Sequence, residues 1–242
     1  ENMDWFDGST LMYYLENVHI ASDHNFIDVR FPVQHVIRPY NDEFHDYRGY
    51  AGKVSGGVIK KGDKVMVLPS GFTANVAKID TFDGEIEKAF PPMSVTLLLD
   101  ENIDISRGDM IVRKGNLPQR SNEIDATICW MSDETLDLTK LYQLQHTTRT
   151  VRASVASINY KIDVDTMRRE DTKTLLLNEI GRVQLTTTQP LFYDQYALNR
   201  ETGSFVLIDP VTNNTVAAGM IRGRTQEVDD LRDVTEEEQE IR

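Results

Sequence analysis

The chain has 242 residues and a formal net charge of -13, from 26 lysines and arginines against 39 aspartates and glutamates. That length allows one large or two small domains, and the acidity counts against a nucleic-acid partner, which calls for a basic face. The single Cys129 excludes an intramolecular disulfide, and no apolar run approaches the ~18 residues of a membrane span, so the expectation is a cytoplasmic protein with no membrane partner.

In chain order, Asp7 to Val18 comes first. Ser9 or Thr10 can cap a short helix in which Leu11, Tyr14, Leu15 and Val18 share one face. The pattern predicts that this face packs on the domain that follows. From Ile27 to Ile37 the residues Ile27, Val29, Phe31 and Val33 alternate with Asp28, Arg30, Pro32 and Gln34. This reads as a strand with one apolar and one polar face, and Pro32 places it at an edge or beside a bulge. Asn41 to Tyr47 reads as a loop.

Tyr47 to Gly84 is the most strongly patterned stretch. Short β-branched runs (Val58-Ile59, Val65 to Leu68, Val76 to Ile79) are broken by glycine turns at Gly56-Gly57, Lys61-Gly62-Asp63, Pro69-Ser70-Gly71 and Asp83-Gly84. That spacing indicates a small antiparallel barrel or sandwich. Ser94 to Leu99 and Met110 to Val112 complete about six strands by residue 113. Lys114 to Asn122 gathers turn formers and is the expected domain boundary. The alternation then resumes at Ile124 to Trp130, Leu141 to His146, Thr150 to Ala156, Ile158 to Val164, Arg182 to Thr188, Ser204 to Asp209 and Val216 to Ile221. Asn199 to Gly203 and Pro210 to Asn214 read as hairpin loops. The expected organisation is a helix and lead-in over 1–25, all-β domains over 26–116 and 117–223, and an acidic tail or linker over 224–242.

No motif carries chemistry. Gly57 to Lys64 has the glycine spacing of a phosphate loop, but Asp63 stands where lysine is needed, and no Ser or Thr follows to hold magnesium. Ala77-Lys78-Ile79-Asp80 lacks the amide of a guanine-reading N-K-x-D. Arg107-Gly108-Asp109 reads as a plain turn. The five histidines and Cys129 show no metal-ligand spacing. No catalytic, cofactor or metal residue is therefore assigned.

Several phrases in order carry a resemblance: Arg30 to Val36, Arg48 to Gly52, Val67 to Gly71, Ile79 to Gly84, Asp104 to Asp109, and Trp130-Met131. From about Trp5 to Gly223 the chain resembles the part that follows the G domain in the large, GTP-binding subunit of bacterial sulfate adenylyltransferase, of the translation-factor GTPase superfamily that includes elongation factor Tu. The resemblance implies two tandem antiparallel six-stranded β-barrels. It also implies a parent heterodimer that forms adenylyl sulfate and pyrophosphate from ATP and sulfate, driven by GTP hydrolysis. Adenylyl transfer would sit on the small catalytic subunit, and GTP with Mg on the G domain, neither within these residues. The chain would then be a coupling module and a fragment without activity of its own, consistent with its start at Glu1. Arg48, Tyr50 and Arg107, near turns of the first barrel, are the expected exposed contacts to the small subunit or the G domain. Gly8-Ser9-Thr10 departs from the family's Gly-Pro-Thr by replacing a proline start with a hydroxyl cap. Alternatives are a translation-factor-like module binding tRNA, a parent fused downstream to an adenylylsulfate kinase, and a self-standing β-barrel enzyme.

Overall fold

A computed structural model of the chain describes residues 8–17, 24–39 and 47–224. Expectations resting on Trp5, Val18, His19, His45, most of the Asn41 to Tyr47 loop and the acidic tail lie outside the described residues.

Helix α1 (Leu11–Asn17) starts at its predicted cap, where the Tyr13 amide donates to Thr10 Oγ1 at 3.2 Å. The expected packing of its apolar face does not occur: α1 buries no residue among the described ones. Met12 and Tyr13 fill the sides that a one-sided helix would leave polar, so no single stripe faces the first sheet.

The first sheet is built from β1 (Arg30–Ile37), β2 (Gly49–Lys53), β4 (Lys64–Leu68), β5 (Thr73–Thr81), β6 (Gly84–Glu85), β8 (Ser94–Leu99) and β9 (Met110–Arg113), while β3 (Ile59–Lys60) and β7 (Lys88–Ala89) pair separately. Its order is β4-β9-β1-β2-β8-β5-β6, and β4 also pairs with β5, which closes six strands into a barrel. Phe31, Val33, Val67, Ile79, Leu97 and Ile111 fill the interior. β1 is an inner strand, paired with both β2 and β9. Of the two expectations for Pro32 the bulge is the one realised, since the β1–β2 register shifts between Val33 and His35.

The second sheet comprises β10 (Gln119–Trp130), β11 (Tyr142–His146), β12 (Arg149–Ile162), β13 (Arg169–Glu170), β14 (Ile180–Tyr193), β15 (Ser204–Ile208) and β16 (Thr215–Arg224). Its order is β11-β15-β16-β10-β14-β12-β13, with an added β11–β12 pairing. The predicted alternation in β10 holds: Ile124, Ala126, Ile128 and Trp130 point inward. Trp130 meets the Tyr142 ring edge-on at 5.8 Å, and its Nε1 donates to the Glu134 carbonyl at 2.7 Å.

Four expectations are corrected. β10 begins at Gln119, because Gln119, Arg120 and Ser121 pair with Tyr193, Phe192 and Leu191, so the stretch read as turn formers is partly strand. The runs Thr150 to Ala156 and Ile158 to Val164 are one strand, β12, which bulges carry through the break in alternation. Asn199 to Gly203 is not a hairpin loop: β14 pairs with β10 and β12, and β15 with β11 and β16, so the loop crosses between non-neighbours. Finally, the polar face read for β1 is not solvated over the first half of the strand, while Gln34 stays exposed. Arg30 and Pro32 are buried along with Val29, Phe31 and Val33, because the outside of β1 lies against the second sheet.

Candidate functional site

The described residues concentrate their unusual chemistry at the junction of the two sheets. The centre is Arg30, only 2% exposed. Its Nε and Nη2 donate to the two carboxylate oxygens of Asp194 at 2.7 and 2.9 Å, a bidentate pair across 164 positions of sequence. Its Nη1 is used by the Val29 and Asn116 carbonyls and by Asn116 Oδ1, at 2.9 to 3.0 Å. A buried ion pair is tolerated only when its remaining donors and acceptors are satisfied, and here they are. Thr202 Oγ1 donates to Asp194 Oδ2 at 2.8 Å. Behind Arg30, the amides of Asn116 and Asn25 donate to the two oxygens of Asp28 at 2.6 and 2.7 Å. The Asn116 hydrogen bond foremost, with help from Asn25 and the Arg30 charge, holds the Asp28 carboxyl below its ordinary range against partial burial.

One loop of the second sheet makes most of these contacts. Between β14 and β15, Asp194 takes Arg30, the Asn199 side chain donates to the Ser55 carbonyl at 2.9 Å, Glu201 pairs with Lys53, and the Leu198 carbonyl accepts from Asn25 at 3.3 Å. The loop owes its shape to Asn199, whose Oδ1 accepts from the amides of Glu201 and Thr202 at 3.0 and 3.1 Å. Beneath it, His146 Nε2 lies 2.7 Å from the Thr202 carbonyl and donates to it. Burial holds the imidazole below its ordinary pKa, opposed by that hydrogen bond and by the charge of Asp194. Apolar contacts flank the network: Leu68, Met110 and Val112, on the outside of the first barrel, form one cluster with Phe192. The turn at Ser106 to Asp109 also lies near Arg149. Burial raises the Asp109 carboxyl pKa, while the Ser106 amide and the Arg149 charge oppose the rise.

Between the sheets runs a groove of about 720 Å³, lined among others by Pro32, Lys53, Cys129, Glu201, Phe205 and Met220. It is mainly apolar, with the Lys53–Glu201 pair bridging its two walls. Among the described residues no group of three or more His, Cys, Asp or Glu is placed to hold a metal ion.

The three residues expected from sequence lie on the first barrel and make none of these contacts, although Arg107 belongs to the turn that abuts Arg149. Tyr50 is not exposed: its ring is 1% accessible in the core, and its hydroxyl donates to the Ile103 carbonyl at 2.8 Å. The reason is the strand period, which turns Tyr50 of β2 inward with Gly52. Arg48 is brought to the same carbonyl at 3.0 Å and also bonds Asn102, so the pair fixes the segment after β8 from two sides. Arg107 is exposed and donates to the Gln34 carbonyl at 3.1 Å. The junction residues Asp194, Asn199 and Thr202 were not singled out by sequence reasoning. Arg30 appeared as an outward position in an alternating strand and as the start of one resemblance phrase, in neither case as a partner of the second sheet.

Residues 123–222 match the family described as GTP-eEF1A C-terminal domain-like. The chain is 53% identical over 219 residues to the bifunctional enzyme CysN/CysC of Mycobacterium tuberculosis, covering 90% of this chain and 36% of that protein. It is 50% identical over 229 residues to sulfate adenylyltransferase subunit 1 of Bacteroides fragilis, covering 95% of this chain and 47% of the relative. The chain thus spans less than half the length of these relatives. Among solved structures, sup35 complexed with GDP aligns over 92% of this chain and 53% of its own with a TM-score of 0.73. At 21% identity that likeness establishes the fold alone. Identity near one residue in two over nine-tenths of the sequence is a stronger statement, and by it the chain is similar throughout to a part of sulfate adenylyltransferase subunit 1 and of the bifunctional enzyme CysN/CysC.

Proposed function

We propose that the chain is the two-barrel module of the GTP-binding subunit of a cytoplasmic sulfate adenylyltransferase. The parent enzyme forms adenylyl sulfate and pyrophosphate from ATP and sulfate and spends GTP to do so. GTP and Mg belong on a G domain elsewhere in the parent, and adenylyl transfer on the small subunit. A parent fused downstream to an adenylylsulfate kinase is the alternative, since relatives named bifunctional enzyme CysN/CysC stand beside others named sulfate adenylyltransferase subunit 1. In this reading residues 26–116 and 117–223 are the two barrels, with 1–25 a lead-in and 224–242 a tail. The β11–β12 pairing supports closure of the second sheet.

The observation that carries the coupling role is the buried Arg30–Asp194 pair. A module that transmits the state of a G domain to a partner subunit must move as one body, since a soft joint between its halves would dissipate the displacement. The bidentate pair, the Asn199 clasp and the Phe192 cluster supply that stiffness. Arg107, and Arg48 with Tyr50 through the segment they hold, are proposed contacts to the small subunit or G domain. The test is calorimetry on the 242-residue chain. It is expected to bind the purified small subunit and to give no heat with GTP or GDP; saturable guanine-nucleotide binding would refute the reading.

A further inference from the structure

The junction lies where β10 begins and β14 ends. At the other end of the second sheet, where β10 ends and β14 begins, six large apolar side chains stand in solvent. Met131, Leu138, Leu141, Leu176, Leu177 and Val211 are between 38% and 81% exposed. Single exposed apolar residues are ordinary, but several together at one end of a molecule mark a contact surface. The loops that carry them are tied to one another. The Leu136 amide donates to the Leu175 carbonyl at 3.0 Å, Asn178 to Trp130 at 2.8 Å, and Met131 to Val216 at 2.8 Å, and Lys140 pairs with Asp209 at 2.5 Å. Buried Trp130, Leu136 and Leu175 anchor the same loops in the core. The exposed leucines are therefore presented by a fixed frame, which lowers the ordering cost of binding.

The charge left unpaired around them is predominantly acidic. Asp209 is taken by Lys140 and Glu179 by Lys161, which leaves exposed Asp133, Glu134, Asp137 and Asp171 against Lys173. An apolar centre with a charged rim is the anatomy of a protein interface. The acid rim disfavours an anionic lipid surface and disfavours a second copy of itself. We infer that this end docks a partner protein whose face is apolar in the middle and ringed by lysine and arginine. On the reading above, that partner is the small subunit of the sulfate adenylyltransferase. The surface is separate from Arg48 and Arg107, on the first barrel.

The experiment titrates the purified small subunit into the full chain by calorimetry. It compares wild type, Leu176→Asp with Leu177→Asp, Asp133→Lys with Glu134→Lys, and Arg48→Ala with Arg107→Ala. Because Leu176 and Leu177 are exposed, the first variant is expected to keep its near-UV dichroism and to bind at least about ten-fold more weakly. The lysine variant is expected to associate more slowly and to lose most of the salt dependence of its on-rate. Wild-type affinity in the leucine variant, or loss of binding only in the arginine variant, would overturn the docking surface and leave the proposed function standing. No binding by the wild-type chain would remove both. A wild-type chain that dimerises in sedimentation, with a leucine variant that does not, would make the surface a self-contact and overturn the inference.

Discussion

His146 shows how much one residue gains from the tertiary context. In the unfolded chain its imidazole takes up a proton near the ordinary value of about 6.5. In the folded chain burial beneath the Asn199 loop pushes that value down. Between the two values the unfolded state holds the extra proton, so the stability due to neutral His146 is complete above about 6.5 and is lost as pH falls through the lower folded value. Urea midpoints followed from pH 7.5 to 5 are expected to fall across that window, and His146→Gln is expected to flatten the dependence. A wild-type curve flat to pH 5 would contradict the burial argument. The phenol of Tyr193 reaches the same context from the other direction, pushed up to about 12 by burial in the second core.

At the scale of elements, the glycine turns of the first barrel separate into two kinds that look alike in sequence. Gly57 has φ +67°, and a Cβ there would lie 2.5 Å from the Val29 amide nitrogen; Gly62 has φ +85° with nothing within 4 Å. Gly57→Ala therefore meets both backbone strain and a backbone clash that cannot yield, with an expected loss of more than about 2 kcal/mol. Gly62→Asn keeps a residue that tolerates the left-handed region in open space and is expected to lose less than about 1 kcal/mol. Equal losses in chemical denaturation would contradict this account. The positions of these turns, and the inward alternation of Ile124 to Trp130, were legible in the sequence, because turn chemistry and the period of two act over a few residues. The crossing of the Asn199 loop was not, since whether two strands are neighbours depends on the whole strand order.

For the whole molecule, the joint between the sheets decides behaviour. Arg30→Met leaves Asp194 buried and short of its cation, and is expected to cost about 3–5 kcal/mol, as for other broken buried pairs. It should also separate the protection of β1 from that of β14 in native-state hydrogen exchange, two strands expected to open together in the wild type. Arg30→Met with Asp194→Leu removes both charges and is expected to recover a large part of the loss. A single variant of wild-type stability would show that the pair does not join the sheets.

The sequence by itself determined that the chain is β-rich in two successive halves, where the tight turns fall, and which family it resembles, because those properties rest on local pattern and on phrases read in order. It also indicated the absence of a recognisable phosphate loop or metal-ligand motif. Only the tertiary structure decided that the outward face of β1 is an interior, that Tyr50 is a core tether for Ile103, and that Arg30 meets Asp194 across 164 positions. Those facts depend on which surfaces two separate sheets bury against each other. An alternating strand specifies that it has two faces, and only the packing of the second sheet specifies that both are dry from Arg30 to Val33.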